Sequence, residues 1–142
     1  MIDPLKQLPG YALRRASSAV MAELADLLAP HDLRVSESTA LLLMDANPQI
    51  TQSEVGRTLD IKRPNMVPLT LRLEARGLIQ REPVNGRSQS LSLTAYGKDV
   101  AAKVRDIVES YEEALIARVP IASRDHILPI LSALWLGPRK SS

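Results

Sequence analysis

A mainly helical α+β fold is predicted for this 142-residue chain by three observations. Long segments near both ends carry apolar residues at spacings of three and four, the mark of amphipathic helices. Between Thr51 and Arg76 lie a short helix, a three-residue turn and a basic helix. Asn85-Gly86 then separates two strand-like runs, as in a tight hairpin. This order of parts reads as a winged helix-turn-helix with long N- and C-terminal helices and a two-stranded wing, and such modules usually read DNA.

The first helix is expected from Leu8 or Pro9 to Leu28 or Ala29, with Pro30 beyond its end. Leu13, Ala16, Val20, Leu24 and Leu27 form one stripe, with Arg14, Arg15, Glu23 and Asp26 largely off it. A small winged-helix core cannot bury so long a stripe, so part of it needs a partner. His31 to Val35 is a connector. Ser36 is the expected N-cap of a central helix carrying Leu41, Leu42, Leu43 and Met44, which Asn47-Pro48 stops. Thr51-Gln52-Ser53-Glu54 fits a capping box and starts a short helix through Thr58.

Leu59-Asp60-Ile61 makes the turn. The next helix is expected from Lys62 or Arg63 to Arg76, with Gly77 as the left-handed residue that closes it. Met66, Leu69, Thr70 and Leu73 are assigned inward, and Arg63, Asn65, Arg72 and Arg76 outward. Pro64 sits in the first turn, where no intrahelical donor is lost. Pro68 lies deeper and removes one backbone bond, so a kink or distorted turn is expected there.

Strands are expected at 78–82 and 90–93, with Asn85-Gly86 supplying the positive backbone angles of the reversal. Thr94 caps a second long helix carrying Val100, Val104, Ile107, Tyr111 and Leu115, which ends before Pro120. Ser123 and Asp125 begin a last helix with Ile127, Leu128, Leu131, Leu134 and Trp135, bent at Pro129 and ended by Gly137-Pro138. Residues 139–142 read as a frayed tail. No internal repeat or low-complexity block is visible, and one fold unit is expected over 1–142: long helices at about 8–29 and 95–136 flank a lobe at about 36–94.

Composition narrows the function classes. Phenylalanine is absent and aromatics make up 3%, so aliphatic side chains must fill the core. Cysteine is also absent, which excludes disulfides, thiolate metal sites and a thiol redox sensor within the chain. The N-terminus carries no basic region followed by an apolar run, and the greasiest stretch, 128–136, is half the length of a membrane span. A soluble, cytoplasmic protein without membrane contact is expected. The net charge of +2 is unremarkable, but six Lys and Arg face two Glu between Lys62 and Arg87, a local surplus suited to phosphates.

These residues resemble the MarR family of bacterial transcriptional regulators. The resemblance rests on Leu73-Glu74-Ala75-Arg76-Gly77-Leu78-Ile79-Gln80-Arg81, then Asn85-Gly86-Arg87, then Leu91-Ser92-Leu93-Thr94-Ala95-Tyr96-Gly97. Each piece alone is weak, but the order and spacing between two long flanking helices are specific. The resemblance implies a homodimer whose terminal helices interlock while two winged lobes meet adjacent major grooves of a pseudo-palindromic operator. It also implies repression released by a small anionic or aromatic effector, with no cofactor. Carried over by position, Lys62, Arg63 and Asn65 stand nearest the bases, and Arg and Asn have the chemistry to bond guanine and adenine edges. Arg87 matches the wing-tip arginine that reaches toward the minor groove. Asn85 stands where the family usually has Asp; it can hydrogen-bond a guanidinium but cannot form a salt bridge. Pro68 is a second departure, placing no polar group where one often contacts DNA.

Bland readings stand beside these assignments. Lys62, Arg63 and Asn65 would otherwise be a solvated helix start, and Arg87 an exposed hairpin residue. Arg72 joins the DNA-binding set, although Glu74 and Glu82 offer local partners to it, Arg76 and Arg81. Ser53, with Thr51 and Gln52, opens a helix whose amides can bind phosphate, or simply caps it. Tyr11, Arg14 and Arg15 are candidate effector contacts, against an ordinary interface or solvent role. His31 and His126 have no partner at ligand spacing, so no metal site is expected. A winged-helix interaction module that has lost DNA reading is the first rival, supported by Pro68 and Asn85. An enzyme is the second, lacking any nucleophile-base pair, phosphate loop or metal triad.

Overall fold

The computed structural model describes residues 1–86 and 88–137, which form two compact units, Met1–Val108 and Glu109–Ser142. Six α-helices and a three-stranded antiparallel sheet follow in the order α1 (Pro9–Leu28), α2 (Val35–Ala46), β1 (Ile50–Thr51), α3 (Gln52–Thr58), α4 (Arg63–Ala75), β2 (Ile79–Asn85), β3 (Ser88–Leu93), α5 (Ala95–Ile116) and α6 (Arg124–Leu136). Short 3-10 turns precede α2 and α6, at Ala29–His31 and Ile121–Ser123.

The core of the first unit is aliphatic, as the composition requires. Leu41 and Met44 of α2, Val55 of α3, Met66 and Leu73 of α4, Leu78, Leu91 of β3 and Val104 of α5 are all buried in one cluster. α2 lies at its centre because nearly every turn of that helix is apolar. Its N-cap is Arg34 rather than the expected Ser36, and the carboxylate of Glu37 accepts the Arg34 backbone N–H at 2.9 Å. A long acidic side chain three residues into the helix therefore performs the satisfaction that a short hydroxyl was expected to provide.

The capping box of α3 forms as expected: Thr51 Oγ1 accepts the Glu54 N–H at 3.3 Å and Glu54 Oε2 accepts the Thr51 N–H at 2.8 Å. α4 ends in a Schellman arrangement. Leu78 N–H bonds Leu73 O at 3.0 Å, Gly77 N–H bonds Glu74 O at 2.9 Å, and Gly77 takes the left-handed φ of 71°. The helix runs unbroken from Arg63 to Ala75 through Pro68, and α6 runs unbroken through Pro129, so neither proline ends its helix.

The sheet holds one strand that the sequence reading lacks. Ile50–Thr51 pairs antiparallel with Leu91 and Ser90, giving the order β1-β3-β2. Two residues are too few to show an alternation, which is why β1 left no periodic trace. The wing is longer than expected, with a register shift between Pro83 and Asn85 and a last pair Asn85↔Ser88. Pro83 is tolerated because β2 is an edge strand. The positive φ (37°) falls on Gly86, whereas Asn85 remains in the strand, so the reversal is displaced by one residue from the expected Asn85-Gly86.

α5 is capped as expected by Thr94, whose Oγ1 accepts the Gly97 N–H at 3.0 Å. Along α1, Leu13, Met21 and Leu27 are exposed and only Leu28 is buried, so most of its apolar stripe is uncovered in the single chain. In the second unit α6 exposes Leu128, Leu131, Leu134 and Trp135, the last to 77%. Among the described residues no helix is long and apolar enough to cross a membrane. The expected tail at 139–142 lies outside the described residues, as does Pro138.

Candidate nucleic-acid interface

Lys62, Arg63 and Asn65 project from the first turn of α4, and all three are exposed. They stand there because Ile61 is pinned from behind: its N–H bonds Gly56 O at 2.8 Å, while Asp60 takes a positive φ of 53° to turn the chain between the two helices. Lys62 lines two concavities, one on either side of this helix start. The first, about 710 Å³, lies against Gln52, Ser53, Arg57, Arg63, Arg81 and Gln89. The second, about 630 Å³, is bounded by Arg34, Asn65, Pro68 and Arg72. The start of α4 is thus a cationic ridge between two open grooves, the relief needed to enter a groove whose walls are phosphates.

Ser53 is exposed at the rim of the first groove, in line with its expected placement. Arg57 is a cation the sequence reading passed over. It lies four residues after Ser53 on α3, hence on the same helical face, and that spacing was the available signal. Glu54 beside it is held below its ordinary pKa of 4.5, first by the Thr51 backbone N–H, then by the Thr51 hydroxyl and more weakly by the Arg57 charge.

Arg72 was assigned outward but is braced within the lobe. Its Nε donates to Glu37 Oε2 at 2.7 Å, and one terminal nitrogen donates to Asp32 Oδ1 at 3.1 Å. A guanidinium satisfied by two carboxylates has less capacity left for a phosphate or a base, because it would have to surrender charge-assisted bonds first. Arg76 likewise donates to the backbone carbonyls of His31 and Asp32. Arg81 pairs with Glu74 at 2.9 Å, one of the local partners foreseen, and also donates to Gln52 Oε1 at 3.0 Å and Thr70 Oγ1 at 2.9 Å. Arg72, Arg76 and Arg81 therefore hold the lobe together, while Lys62 and Arg63 stand exposed where α4 begins.

Asn85 is exposed at the end of β2. Arg87, the expected minor-groove contact, lies outside the described residues. Far along the chain, Tyr11, Arg14 and Arg15 do come together on the first turns of α1. Arg15 donates to the Tyr11 hydroxyl at 3.2 Å, and the guanidinium carbons of Arg14 and Arg15 lie 5.7 and 5.9 Å from the Tyr11 ring centroid. Among the described residues no group of three or more His, Asp or Glu side chains is placed to hold a metal ion.

The family model for MarR matches residues 31–88, from the 3-10 turn before α2 to the start of β3. In three dimensions the chain is similar to the transcriptional repressor CouR bound to a 23-mer DNA duplex, with 36% identity and a TM-score of 0.87, over 95% of this chain and 97% of that one. CouR bound to p-coumaroyl-CoA gives 33% identity and a TM-score of 0.85 over 99% of both chains. The HTH-type transcriptional repressor Rv2887 of Mycobacterium tuberculosis is 26% identical over 112 residues, which is 78% of this chain and 81% of that one. With this agreement along nearly its whole length, the chain belongs to the MarR family of transcriptional regulators.

Proposed function

We propose that the protein is a homodimeric repressor that binds a pseudo-palindromic operator through α4 and is released by an anionic aromatic effector. The observation that carries this reading is the ridge between two grooves at the start of α4, where the cations Lys62 and Arg63 stand beside the amide of Asn65, with Ser53 and Arg57 alongside. The uncovered apolar residues of α1 and, separately, of α6 support pairing with a second copy, because exposed patches of this kind seldom persist on a monomer. The likeness to CouR, solved with a DNA duplex and with p-coumaroyl-CoA, supports both the operator and the effector class. An aromatic acyl-CoA thioester joins a phosphate-bearing head to an apolar ring, and Arg14, Arg15 and Tyr11 offer guanidinium groups and an aromatic face for those two ends. Release requires the effector to bind one conformation of the dimer more tightly than the one that fits DNA.

The test is a fluorescence-anisotropy titration of the full chain against duplexes selected from a random pool, repeated at several salt concentrations. Arg63→Ala or Asn65→Ala should cost about 1–3 kcal/mol of binding and relax base preference. Arg87→Ala should weaken binding to all sequences and reduce the salt slope by about 1. Added p-coumaroyl-CoA should dissociate the complex where coenzyme A alone does not. A chain that sediments as a single subunit at micromolar concentration and ignores every duplex in dilute buffer would defeat the proposal.

A further inference from the structure

The face of α4 turned away from the core is apolar along its whole length. At about 100° per residue, Pro64, Val67, Pro68, Leu71 and Ala75 fall within an arc of roughly 100°, opposite the buried Met66, Leu69, Thr70 and Leu73. All five are exposed, Val67 to 41% and Leu71 to 54%. None carries a side-chain donor or acceptor, and the two prolines lack even the backbone N–H. A helix face meant only for water is served by Lys, Glu or Gln, which also favour the helix, whereas valine and a deep proline disfavour it. Arg63 flanks this stripe on one side and Asn65 on the other.

We propose that this stripe reads thymine by contact with its 5-methyl group, making Val67, Pro68 and Leu71 specificity-determining residues of the DNA interface. The inference rests on the reading that α4 enters the major groove. In that groove the base edges present hydrogen-bonding atoms and one apolar feature, the thymine methyl. A stripe without donors or acceptors satisfies no hydrogen-bonding atom of any base edge and gains only by covering methyl groups, so thymine alone offers it a favourable contact. The cation on one edge and the amide on the other place phosphate and base hydrogen bonds beside the stripe, so the apolar contact has one occupant whose charge and shape both fit. Each half-site accordingly carries thymine beneath Val67 and Leu71, with hydrogen-bond readout confined to positions reached by Arg63 and Asn65.

The experiment uses duplexes recovered by the full chain from a random pool, each also synthesised with deoxyuridine for every thymidine, so that pairing is kept and only the methyl groups are lost. The expected result is A·T enrichment in each half-site and a loss of affinity of about fourfold per contacted methyl on passing to the uracil duplex. The Val67→Ser, Leu71→Ser double variant, altered only at exposed positions, should bind both duplexes with nearly equal affinity and an unchanged salt slope. Equal binding of the two duplexes by the parent chain, alongside tight binding of the selected sequence, would overturn the methyl readout and leave the DNA reading standing. An equal uracil penalty in parent and variant would also overturn it, since the penalty would then come from duplex shape. Failure to enrich any duplex would remove both readings.

Discussion

Arg72 Nε lies 2.7 Å from Glu37 Oε2, joining α4 to the first turn of α2 across 35 positions of sequence. Glu37 is only 1% exposed and accepts the Arg34 backbone N–H with its other oxygen, so one carboxylate caps α2 and anchors α4. The guanidinium is half open and is shared with Asp32, and the Glu37 hydrogen bond and charge raise its pKa further above an already high value. It stays charged at every pH the protein meets. The pair thus ties α2 to α4, the helix whose start carries Lys62 and Arg63.

The two partners should respond unequally to substitution. Arg72→Ala leaves a buried carboxylate with a single donor, the costly way to break a buried pair. Glu37→Gln keeps an acceptor for Arg34 and leaves Arg72 with Asp32 and water. Thermal melts should show a drop of about 5 °C or more for Arg72→Ala and a smaller one for Glu37→Gln. If the order were reversed, the pair would not be the brace described.

Gly97 is required by contact. A Cβ on it would stand 1.9 Å from the carbonyl oxygen of Leu78, at the point where the N-terminal turn of α5 crosses the entry to β2. Leu78 O also accepts the Thr94 N–H at 3.1 Å, so the strand cannot retreat without losing that bond. Gly97→Ala should cost about 2–4 kcal/mol, visible as a lower urea midpoint with an unchanged slope. A cost below about 1 kcal/mol would show that the crossing relaxes freely.

Most of the lobe was legible because its rules are local. The box at Thr51 and Glu54, the left-handed Gly77 and the Thr94 cap each depend on residues within a few positions of one another. What escaped was set at a distance. Arg72 looked outward by helical position, but its acceptor Glu37 belongs to another helix, and no pattern within α4 could show it. β1 exists only because Leu91 and Ser90 offer it a ladder. The displaced reversal at Gly86 follows from a register shift near Pro83 that the Asn-Gly pair does not encode. At the candidate interface, the order of elements assigned Lys62, Arg63 and Asn65, which are exposed where α4 begins, while Arg57 was passed over because a lone arginine on a short helix draws notice only beside the groove it lines.

Glu54 gives the fold a share of its acid sensitivity. Its pKa in the folded chain is depressed below 4.5 by the Thr51 amide and hydroxyl, so the charged form is favoured in the native state. The stabilisation is fully present above the ordinary carboxylate pKa and is lost as pH falls through the lower, folded value. Melting temperature plotted against pH should therefore fall less steeply below about pH 4.5 for Glu54→Gln than for the parent chain, the parent standing higher at neutral pH and the two converging as its carboxylate is protonated. Parallel curves would mean the carboxylate charge contributes nothing to the cap.

Arg81 is expected to act on DNA through the residues it positions. From β2 its guanidinium reaches Glu74 and Thr70 on α4, Gln52 at the start of α3 and, at 3.4 Å, Gln89 on β3, so one side chain ties the wing to both helices of the reading motif. A lysine ammonium carries the charge but not the planar fork that meets these acceptors together. Arg81→Lys should lower stability by about 1–2 kcal/mol while weakening duplex binding about tenfold, through a loosened wing. The salt dependence separates this from a direct role. A residue paired to a phosphate contributes about one unit to the slope of log affinity against log salt, whereas a residue saturated by protein acceptors contributes none. Anisotropy titrations across several salt concentrations should thus give parallel lines for Arg81→Lys and the parent, displaced by a constant factor. Since lysine can still neutralise a phosphate, Arg81→Gln supplies the complementary arm: a slope reduced by about one unit in that variant would place Arg81 on the DNA and dissolve its bracing role.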